Sequence, residues 1–382
     1  MTRIVSVRLL EAGGLVAAAA DGREAALHPI WLRERTPQPD AFDAVNRQRL
    51  FDPAELPDDL AVREASVDPA LGQLSLRFSD GHVCALDAAA LAGELGWIQP
   101  SEEPPQPEPW DGALVERPTA PWAALDDPGT LRDLLAGFFR TGFCLLTECG
   151  RERGTLERVA ERFGYLRETN FGRLFDVETK PNPIDLAYTG RALTAHADNP
   201  YRKPIPGIQL LHCVESEVAG GLSTLVDGLA VAERLQRDHP AEAEALARLP
   251  VRFRYESACA IFESHGPLIE RGRDGRVERV RFSTRLDYPP PADPETLSLF
   301  YRGRRLFHRL ASDPANRIAF RIDPGAVLMM DNHRLLHGRT AFEGEGGRRL
   351  LQGCYIDHDG PDSLYRVLAR DGAARAVGRE AA

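Results

Sequence analysis

The chain has 382 residues, a formal net charge of −10, 43% hydrophobic residues and 27% charged residues. This length allows two domains with a sizeable core, and the acidic balance offers no basic surface for nucleic acid or an anionic membrane. No apolar stretch approaches the ~20 residues that a membrane-spanning helix needs, and the N-terminus shows no cleavable signal. The charge and the short apolar stretches lead us to expect no nucleic-acid or membrane partner. Because the six cysteines form no C-x-x-C pair and suggest no disulfide framework, we expect a cytoplasmic protein.

Residues 1–100 are expected to form a small β-rich domain. Apolar residues alternate along 71–78 and 82–86 on either side of the turn Ser79-Asp80-Gly81, which predicts a hairpin. A short alanine-rich helix follows over 87–95, with Asp87 as its N-cap. Five prolines between positions 100 and 109 then predict an extended linker, which we assign to residues 101–112.

Residues 113–372 are expected to form a second, larger domain. Helical spacing of apolar residues predicts helices at 131–139, 155–163 and 231–249. Short apolar runs predict strands at 143–146, 208–213, 223–226, 280–282, 326–330 and 350–355. Many short strands with few long helices indicate a barrel or sandwich rather than alternating β–α–β units. Residues 373–382 are expected to be a flexible tail.

His196 and Asp198 are two residues apart in a stretch with the pattern of a strand. Side chains at this spacing on a strand point to the same face, so the two could share a metal. A third ligand from another strand would complete the two-histidine, one-carboxylate set of non-haem Fe(II) oxygenases. His333 and His337 are both candidates for that ligand, and the alternative for either is a polar residue at a strand end.

Two further groups of residues could bind a small molecule. Arg348 and Arg349 follow a glycine-rich turn and could pair with a carboxylate, the alternative being a solvated turn. The aromatic residues Phe171, Phe175 and Tyr188 precede His196. They are either core residues or the walls of a cage that recognises a quaternary ammonium group through cation–π attraction. No G-x-S-x-G, P-loop or dinucleotide-binding motif occurs in the sequence.

Several short motifs follow one another in the order of a known family. They are Ala187-Tyr188-Thr189, His196-Ala-Asp198, the stretch from Pro206 to Cys213, Gly220-Gly221, Val226-Asp227-Gly228, the stretch from Leu335 to Arg339, and Gly353-Cys-Tyr355. The series resembles the γ-butyrobetaine and trimethyllysine hydroxylase branch of the taurine-dioxygenase-like Fe(II)/2-oxoglutarate oxygenases. Trp31-Leu32-Arg33 and Asp80-Gly81-His82 also resemble the N-terminal domain of that branch, so the resemblance covers nearly the whole chain. The resemblance implies a mainly β fold with flanking helices, in which the catalytic domain is a double-stranded β-helix (jelly-roll) barrel.

The resemblance also implies roles for individual residues. Fe(II) would be held by His196, Asp198 and His337, which excludes His333. Arg349 would bind the distal carboxylate of 2-oxoglutarate, with Arg348 the less favoured neighbour, and Ser223 would assist. The trimethylammonium cage would consist of Phe171, Phe175 and Tyr188. The reaction would consume O2 and 2-oxoglutarate and release succinate and CO2 as the substrate is hydroxylated.

The N-terminal domain departs from this branch at its zinc site. Similar enzymes hold zinc there with three closely spaced cysteines and a histidine. Thr36, Gln38 and Ala41 stand at the cysteine positions of this chain, and only His82 remains. Because one imidazole cannot hold a structural zinc, we expect no zinc and a domain stabilised by its core alone.

The residues expected at the anionic end of the substrate also differ. Asp185 and Thr284 stand where γ-butyrobetaine hydroxylases have asparagines, Arg285 follows Thr284, and Asn199 precedes Arg202 by three positions. Two arginines suit a strongly charged anion, which favours trimethylaminoethylphosphonate over γ-butyrobetaine. Asp185 favours the opposite unless it pairs with an arginine.

Three alternatives to this substrate remain. They are γ-butyrobetaine hydroxylation as in carnitine synthesis, a hydroxylase of the same fold that acts on a sulfonate or an amino acid, and a non-catalytic small-molecule binder. Similar enzymes are often dimers, and this analogy suggests a homodimer.

Overall fold

The structure is a computed structural model and describes residues 4–98, 102–178, 191–342 and 347–380, with side chains described as far as residue 372. The chain divides into two compact units, one ending at Glu103 and the other beginning at Pro104. No helix in these described parts is both long enough and apolar enough to cross a membrane.

The first unit consists of small antiparallel sheets and two short helices. Its strands are β1 (Ile4–Leu9), β2 (Leu15–Ala19), β3 (Glu24–Leu27), β4 (Phe42–Asp43), β5 (Gln48–Arg49), β6 (Val62–Asp68), β7 (Gln73–Phe78) and β8 (Val83–Asp87), and its helices are α1 (Pro29–Arg33) and α2 (Ala88–Glu94). The predicted hairpin is confirmed as β7 paired with β8, and buried residues alternate with exposed ones along β7. Asp87 caps α2 as predicted, because its side chain accepts a hydrogen bond from the backbone N–H of Ala90.

His82, the one residue of the zinc site implied by the resemblance that this sequence retains, is hydrogen-bonded within the first unit. Its Nε2 lies 2.7 Å from the hydroxyl oxygen of Thr36. Burial and the nearby Arg33 lower the pKa of His82, so the imidazole is neutral at neutral pH. A hydroxyl is not one of the usual protein ligands of zinc, and Ala41 offers no donor atom.

The second unit contains the remaining strands and helices. Its strands are β9 (Thr119–Pro121), β10 (Phe143–Thr147), β11 (Phe175–Glu178), β12 (Leu193–His196), β13 (Ile208–Ser216), β14 (Ser223–Asp227), β15 (Val251–Glu256), β16 (Ile261–Gly266), β17 (Ile269–Arg271), β18 (Val277–Val280), β19 (Asp287–Tyr288), β20 (Arg317–Phe320), β21 (Val327–Asp331), β22 (Leu335–Arg339) and β23 (Arg349–Ile356). Its helices are α3 (Pro128–Thr141), α4 (Thr155–Phe163), α5 (Gly228–Asp238), α6 (Pro240–Arg248), α7 (Pro294–Ser312) and α8 (Asp359–Glu380).

Two sheets pack face to face in the second unit. The major sheet has the order β11-β23-β13-β21-β10-β9 and the minor sheet the order β12-β22-β14-β20. Along β21, Leu328 and Met330 join the core between the sheets, whereas Val327 and Met329 pack towards α3, α4 and α8. This alternation with both faces buried explains the continuous apolar sequence of β21. The mainly β jelly-roll fold with flanking helices is therefore confirmed.

Several predicted elements differ from the structure. The helix predicted over 231–249 is two helices that meet at His239, because Pro240 cannot continue α5 but suits the first turn of α6. The strand predicted over 280–282 ends at Val280 as part of β18. α8 continues to Glu380 through a stretch of helix-favouring alanine and arginine, within the residues 373–382 for which a flexible tail was predicted.

Candidate functional site

The two histidines of the predicted metal site face each other across neighbouring strands. His196 is the last residue of β12, and its cross-strand partner in the antiparallel pairing is His337 of β22. Their ring centroids are 4.4 Å apart. Asp198 lies two residues beyond the end of β12, and each of the three residues offers a ligand atom within 4.8 Å of the others. Among the described residues this is the only such group of three or more His, Cys, Asp or Glu side chains.

The two oxygens of the Asp198 carboxylate have different surroundings. Oδ2 accepts hydrogen bonds from the Gln209 amide, at 2.6 Å, and from the Tyr355 hydroxyl, at 2.7 Å. Gln209 and Tyr355 are cross-strand neighbours on β13 and β23, so both donors approach from the major sheet. Oδ1 lies 3.5 Å from Nε2 of His196 and 3.8 Å from Nε2 of His337. The arrangement directs Oδ1 and both imidazoles to one point.

The protonation states of these groups suit metal binding. Nδ1 of His196 lies 2.9 Å from the Thr194 carbonyl oxygen, which can only accept, so Nδ1 carries the hydrogen and Nε2 has a free lone pair. Burial lowers the pKa of His337 to about 4, despite the opposing charge of Asp198. Burial opposes ionisation of Asp198, but His337, His196 and Tyr355 outweigh it and hold its pKa below the ordinary value. Two imidazoles and one carboxylate are the ligand set that suits Fe(II).

The two less favoured candidates, His333 for the metal and Arg348 for the carboxylate, lie away from the metal-ligand group and its cavity. His333 is outside the metal-ligand group, and its Nε2 lies 3.3 Å from the Ile205 carbonyl oxygen. Arg348 has a side chain 59% exposed and lies near Glu178 and Glu215, at 3.7 and 3.5 Å. Arg349, the next residue and the first of β23, instead lines the cavity beside the metal-ligand group. The structure therefore separates both pairs of candidates.

A cavity of about 180 Å³ adjoins the three candidate metal ligands. Arg349 lines it and is only 9% exposed, yet among the described residues it forms no salt bridge. Burial lowers the pKa of Arg349, but a guanidinium remains charged at neutral pH. A buried cation without an anionic partner is unfavourable unless a ligand supplies the anion. The carboxylate of 2-oxoglutarate fits this requirement, and the buried hydroxyl of Ser223 lines the same cavity.

Aromatic rings form another wall of the cavity. Phe171 and Phe175 both line it, with ring centroids 6.2 Å apart. Tyr188 lies outside the described residues. The sequence interpretation missed Tyr255, whose ring is 6.1 Å from Phe171 and 5.0 Å from Tyr201. Tyr355 was also missed as a wall, and its ring lies 5.4 Å from Phe175.

A glycine permits the close approach of Phe175 to the major sheet. Phe175 of β11 is paired with Gly353 of β23, and a Cβ at Gly353 would lie 2.4 Å from the Phe175 ring. Only glycine at position 353 therefore allows the Phe175 ring to lie this close to the backbone of β23, beside Tyr355. Alternation along β23 brings Arg349, Gly353 and Tyr355 to the same face, which is the sequence signal that could have identified Tyr355.

The residues expected at the anionic end are only partly brought together. Asn199 and Arg285 line the cavity. Thr284 does not, and its prediction is wrong: it is exposed and lines a separate depression, while the buried Ser283 faces the cavity. Arg202 is likewise absent from the lining, because its guanidinium donates to Asn170 at 2.6 Å and lies over the Phe262 ring.

Asn199 has an unused donor, whereas Asp185 cannot be located. The Asn199 side chain is buried and its oxygen accepts from the Tyr201 hydroxyl at 2.6 Å. Its Nδ2 has no hydrogen-bond partner among the described residues. Asp185 lies outside the described part of the chain. Of the residues expected to bind the anionic end of the substrate, the described chain therefore places two at the cavity. They are Asn199, with its amide donor, and the exposed Arg285.

The chain is similar to a family of dioxygenases and to several named enzymes. Residues 104–355 match the family described as taurine catabolism dioxygenase TauD, TfdA family. The chain is 32% identical to a γ-butyrobetaine dioxygenase from Pseudomonas sp. (strain AK-1) over 361 residues, covering 94% of each chain. It is 27% identical to a trimethyllysine dioxygenase from Meyerozyma guilliermondii, covering 91% of each chain. A solved taurine dioxygenase from Burkholderia xenovorans superposes with a TM-score of 0.47, at 16% identity, over 68% of this chain and 93% of that chain.

The family match covers well over half of the chain, and the similarity to the Pseudomonas protein extends over almost all of it. The His-Asp-His group and the unpaired buried arginine lie within the matched residues. The chain belongs to the TauD/TfdA dioxygenase family and is an Fe(II)/2-oxoglutarate-dependent dioxygenase of the γ-butyrobetaine and trimethyllysine hydroxylase type.

Proposed function

We propose that this enzyme hydroxylates a small trimethylammonium zwitterion of the γ-butyrobetaine kind. In this proposal His196, Asp198 and His337 hold Fe(II), and Arg349 and Ser223 hold 2-oxoglutarate. The supporting observation is an aromatic wall that shares one small cavity with the metal ligands. A cavity of about 180 Å³ suits a compact metabolite, since pockets for drug-sized ligands are larger, at roughly 300 Å³ or more.

The aromatic wall supports a cationic substrate rather than a neutral one. Phe171, Phe175 and Tyr255 line the cavity close to one another, and the faces of aromatic rings attract quaternary ammonium groups. No carboxylate other than Asp198 lines this cavity within the described chain, so the rings are the groups available there to bind the cation.

The chain's own residues position the reactants. Bound Fe(II) and 2-oxoglutarate supply the oxidation, in which 2-oxoglutarate becomes succinate and CO2 and one oxygen atom of O2 enters the substrate. Arg349 neutralises a carboxylate away from bulk water, where a charge-assisted hydrogen bond is strong. The rings fix the ammonium end, so that one C–H bond of a short chain faces the metal site. Gln209 and Tyr355 keep Asp198 oriented throughout.

The two candidate substrates, γ-butyrobetaine and trimethylaminoethylphosphonate, differ in their anionic group, so the residues that would bind this group distinguish them. Because Arg202 is engaged away from the cavity, one of the two arginines that favoured a phosphonate is lost. The amide of Asn199 suits a carboxylate, and the similarity to a named γ-butyrobetaine dioxygenase supports the same choice. Trimethylaminoethylphosphonate is the second candidate, favoured by Arg285, the remaining arginine at this end.

A panel assay of the full chain tests this proposal. Succinate formation from 2-oxoglutarate is followed with γ-butyrobetaine, trimethyllysine and trimethylaminoethylphosphonate, and with His196→Ala protein as the control without a complete metal site. We expect γ-butyrobetaine to stimulate turnover most, and we expect no stimulation in the control. Arg285→Asn should reduce turnover of the phosphonate more than that of the carboxylate. Absence of stimulation by every trimethylammonium compound would contradict the proposed substrate class.

A further inference from the structure

We propose that Asn332 is a positioning residue that holds the metal ligand Asp198 through its backbone; this inference rests on the metal site proposed above. The Asn332 side-chain oxygen accepts a hydrogen bond from the backbone N–H of Asp198 at 2.7 Å. Its Nδ2 donates to the Asp198 carbonyl oxygen at 3.0 Å. One amide therefore satisfies both backbone groups of a single metal ligand.

The position of Asp198 explains why such a contact is needed. β12 ends at His196, and its pairing with β22 is already irregular between Leu193 and His196. The residue after Asp198, Asn199, has φ of +49°, a left-handed conformation that cannot continue a strand. Within the described chain Asp198 is thus paired with no strand, and the Asn332 amide makes the two hydrogen bonds that an adjacent strand would make.

The same side chain connects both metal-ligand segments. Nδ2 of Asn332 also donates to the Pro206 carbonyl oxygen at 2.9 Å, and its backbone N–H donates to the Gly207 carbonyl oxygen at 2.9 Å. Asn332 lies in the turn between β21 and β22, five positions before His337. It therefore ties the loop that carries Asp198 to the strand that carries His337.

The turn that presents Asn332 is fixed on both sides. Asp331 accepts a hydrogen bond from the His358 imidazole at 3.0 Å, and His333 lies 3.3 Å from the Ile205 carbonyl oxygen. Asn332 itself is 2% exposed, so water cannot readily replace its hydrogen bonds. His333, a metal-ligand candidate from the sequence, thus lies in the turn that supports the metal site without belonging to it.

Loss of this amide should weaken metal binding more than folding. Groups that orient metal ligands typically contribute about 10-fold to 100-fold in metal affinity. We expect Asn332→Ala and Asn332→Asp to raise the Kd for Co(II) or Mn(II) by about this factor. Asn332→Asp preserves the size of the side chain but loses both Nδ2 hydrogen bonds, so it tests the donor rather than the packing.

The experiment measures Co(II) and Mn(II) binding to full-length apoprotein without oxygen, together with the melting temperature of each apoprotein. Asn316→Ala is the matched control, because Asn316 also donates from Nδ2 to a backbone carbonyl, that of Leu310, at 2.9 Å. We expect this control to retain wild-type metal affinity. Folded Asn332 variants with metal affinity within twofold of wild type would overturn the inference. Failure of both Asn332 variants to fold would assign Asn332 to general stability and would also overturn it.

The metal site and the role of Asn332 can fail separately. If the wild-type chain binds neither metal, or binds it equally well as His196→Ala, the proposed metal site is wrong. If the wild type binds metal through that site and the Asn332 variants bind as tightly, only the positioning role is wrong.

Discussion

Arg348 and Arg349 are chemically identical neighbours with opposite environments. Side chains on a strand alternate between its faces, so Arg348 extends outward towards Glu178 and Glu215 while Arg349 enters the cavity. The buried Arg349 has no salt-bridge partner among the described residues, whereas Arg348 does. This contrast makes Arg349 the more suitable group for the carboxylate of 2-oxoglutarate.

Replacing Arg349 by lysine should impair binding of 2-oxoglutarate selectively. Lysine retains the charge but loses the planar pair of donors that matches a carboxylate. We expect Arg349→Lys to lower kcat/KM for 2-oxoglutarate by about 10-fold to 100-fold, equivalent to roughly 1.4–2.8 kcal/mol. Arg348→Lys is the matched control and should leave kcat/KM within about twofold, as exposed ion pairs contribute little. Equal effects of the two variants would show that Arg349 does not bind the cosubstrate.

Individual residues were predictable from sequence where one motif contains the whole signal. The spacing of His196 and Asp198 indicated that the two could share one site, and the structure brings them together although β12 ends at His196 and Asp198 lies just beyond it. Asn332 was not predictable, because its contact with Asp198 joins positions 134 residues apart. Thr284 was misplaced because a shift of one position along a surface loop decides whether a side chain faces the cavity.

At the scale of elements, Asp331 at the end of β21 and His333 in the turn that follows lie beside His358, which comes after β23. Burial opposes the charge on His358, but the Asp331 carboxylate outweighs it and raises the pKa of His358. Burial also opposes the charge on Asp331, but His358 and His333 lower its pKa to about 2. Burial lowers the pKa of His333 to about 4, so that ring is neutral at neutral pH.

These shifts give the pH dependence of the Asp331–His358 pair. A raised histidine pKa stabilises the fold fully below its unfolded value of about 6.5, and the stabilisation is lost as pH rises through the folded pKa. A lowered aspartate pKa contributes above about 3.9 and is lost as pH falls towards the folded value. The pair therefore stabilises the fold most between about pH 4 and pH 6.5.

His358→Gln should consequently destabilise the protein most within this interval. The free energy of unfolding, from urea denaturation between pH 4.5 and pH 9, should show a deficit near pH 5.5 that shrinks towards pH 9. His239→Gln is the control, since His239 is exposed and forms no salt bridge within the described chain. A deficit that is constant with pH would mean that lost packing, rather than the ion pair, causes it.

The elements themselves were predictable to different degrees. α3 contains the predicted helix over 131–139 and ends before Gly142, which has φ of +82°, and α4 occupies the predicted residues 155–163, because capping and spacing are local signals. The single helix predicted over 231–249 breaks at Pro240, which the apolar spacing alone did not indicate. α7 was not predicted, although Asp293 caps it and its apolar residues have helical spacing.

At the scale of the whole molecule, the site exists because two sheets meet. β12 and β22 of the minor sheet carry the histidines, while β13 and β23 of the major sheet carry Gln209, Arg349 and Tyr355. These strands are paired across long stretches of sequence, which local patterns cannot specify. Sequence patterns alone indicated only a barrel or sandwich, and the resemblance to a family was needed to assign the jelly roll and its iron site.

We propose that the aromatic wall of the cavity selects a quaternary ammonium substrate for hydroxylation at this site. The most direct measurement compares γ-butyrobetaine with its neutral analogue, in which a tert-butyl group replaces trimethylammonium. Product and succinate are quantified together by mass spectrometry.

Both compounds have nearly the same shape and the same carboxylate, so the charge is the main difference between them. A desolvated cation–π contribution of about 2 kcal/mol predicts that kcat/KM is about 30-fold higher for γ-butyrobetaine. We expect hydroxylated γ-butyrobetaine and succinate in equal amounts, with little product from the analogue. Equal turnover of the two compounds, or no hydroxylation of γ-butyrobetaine, would contradict this account.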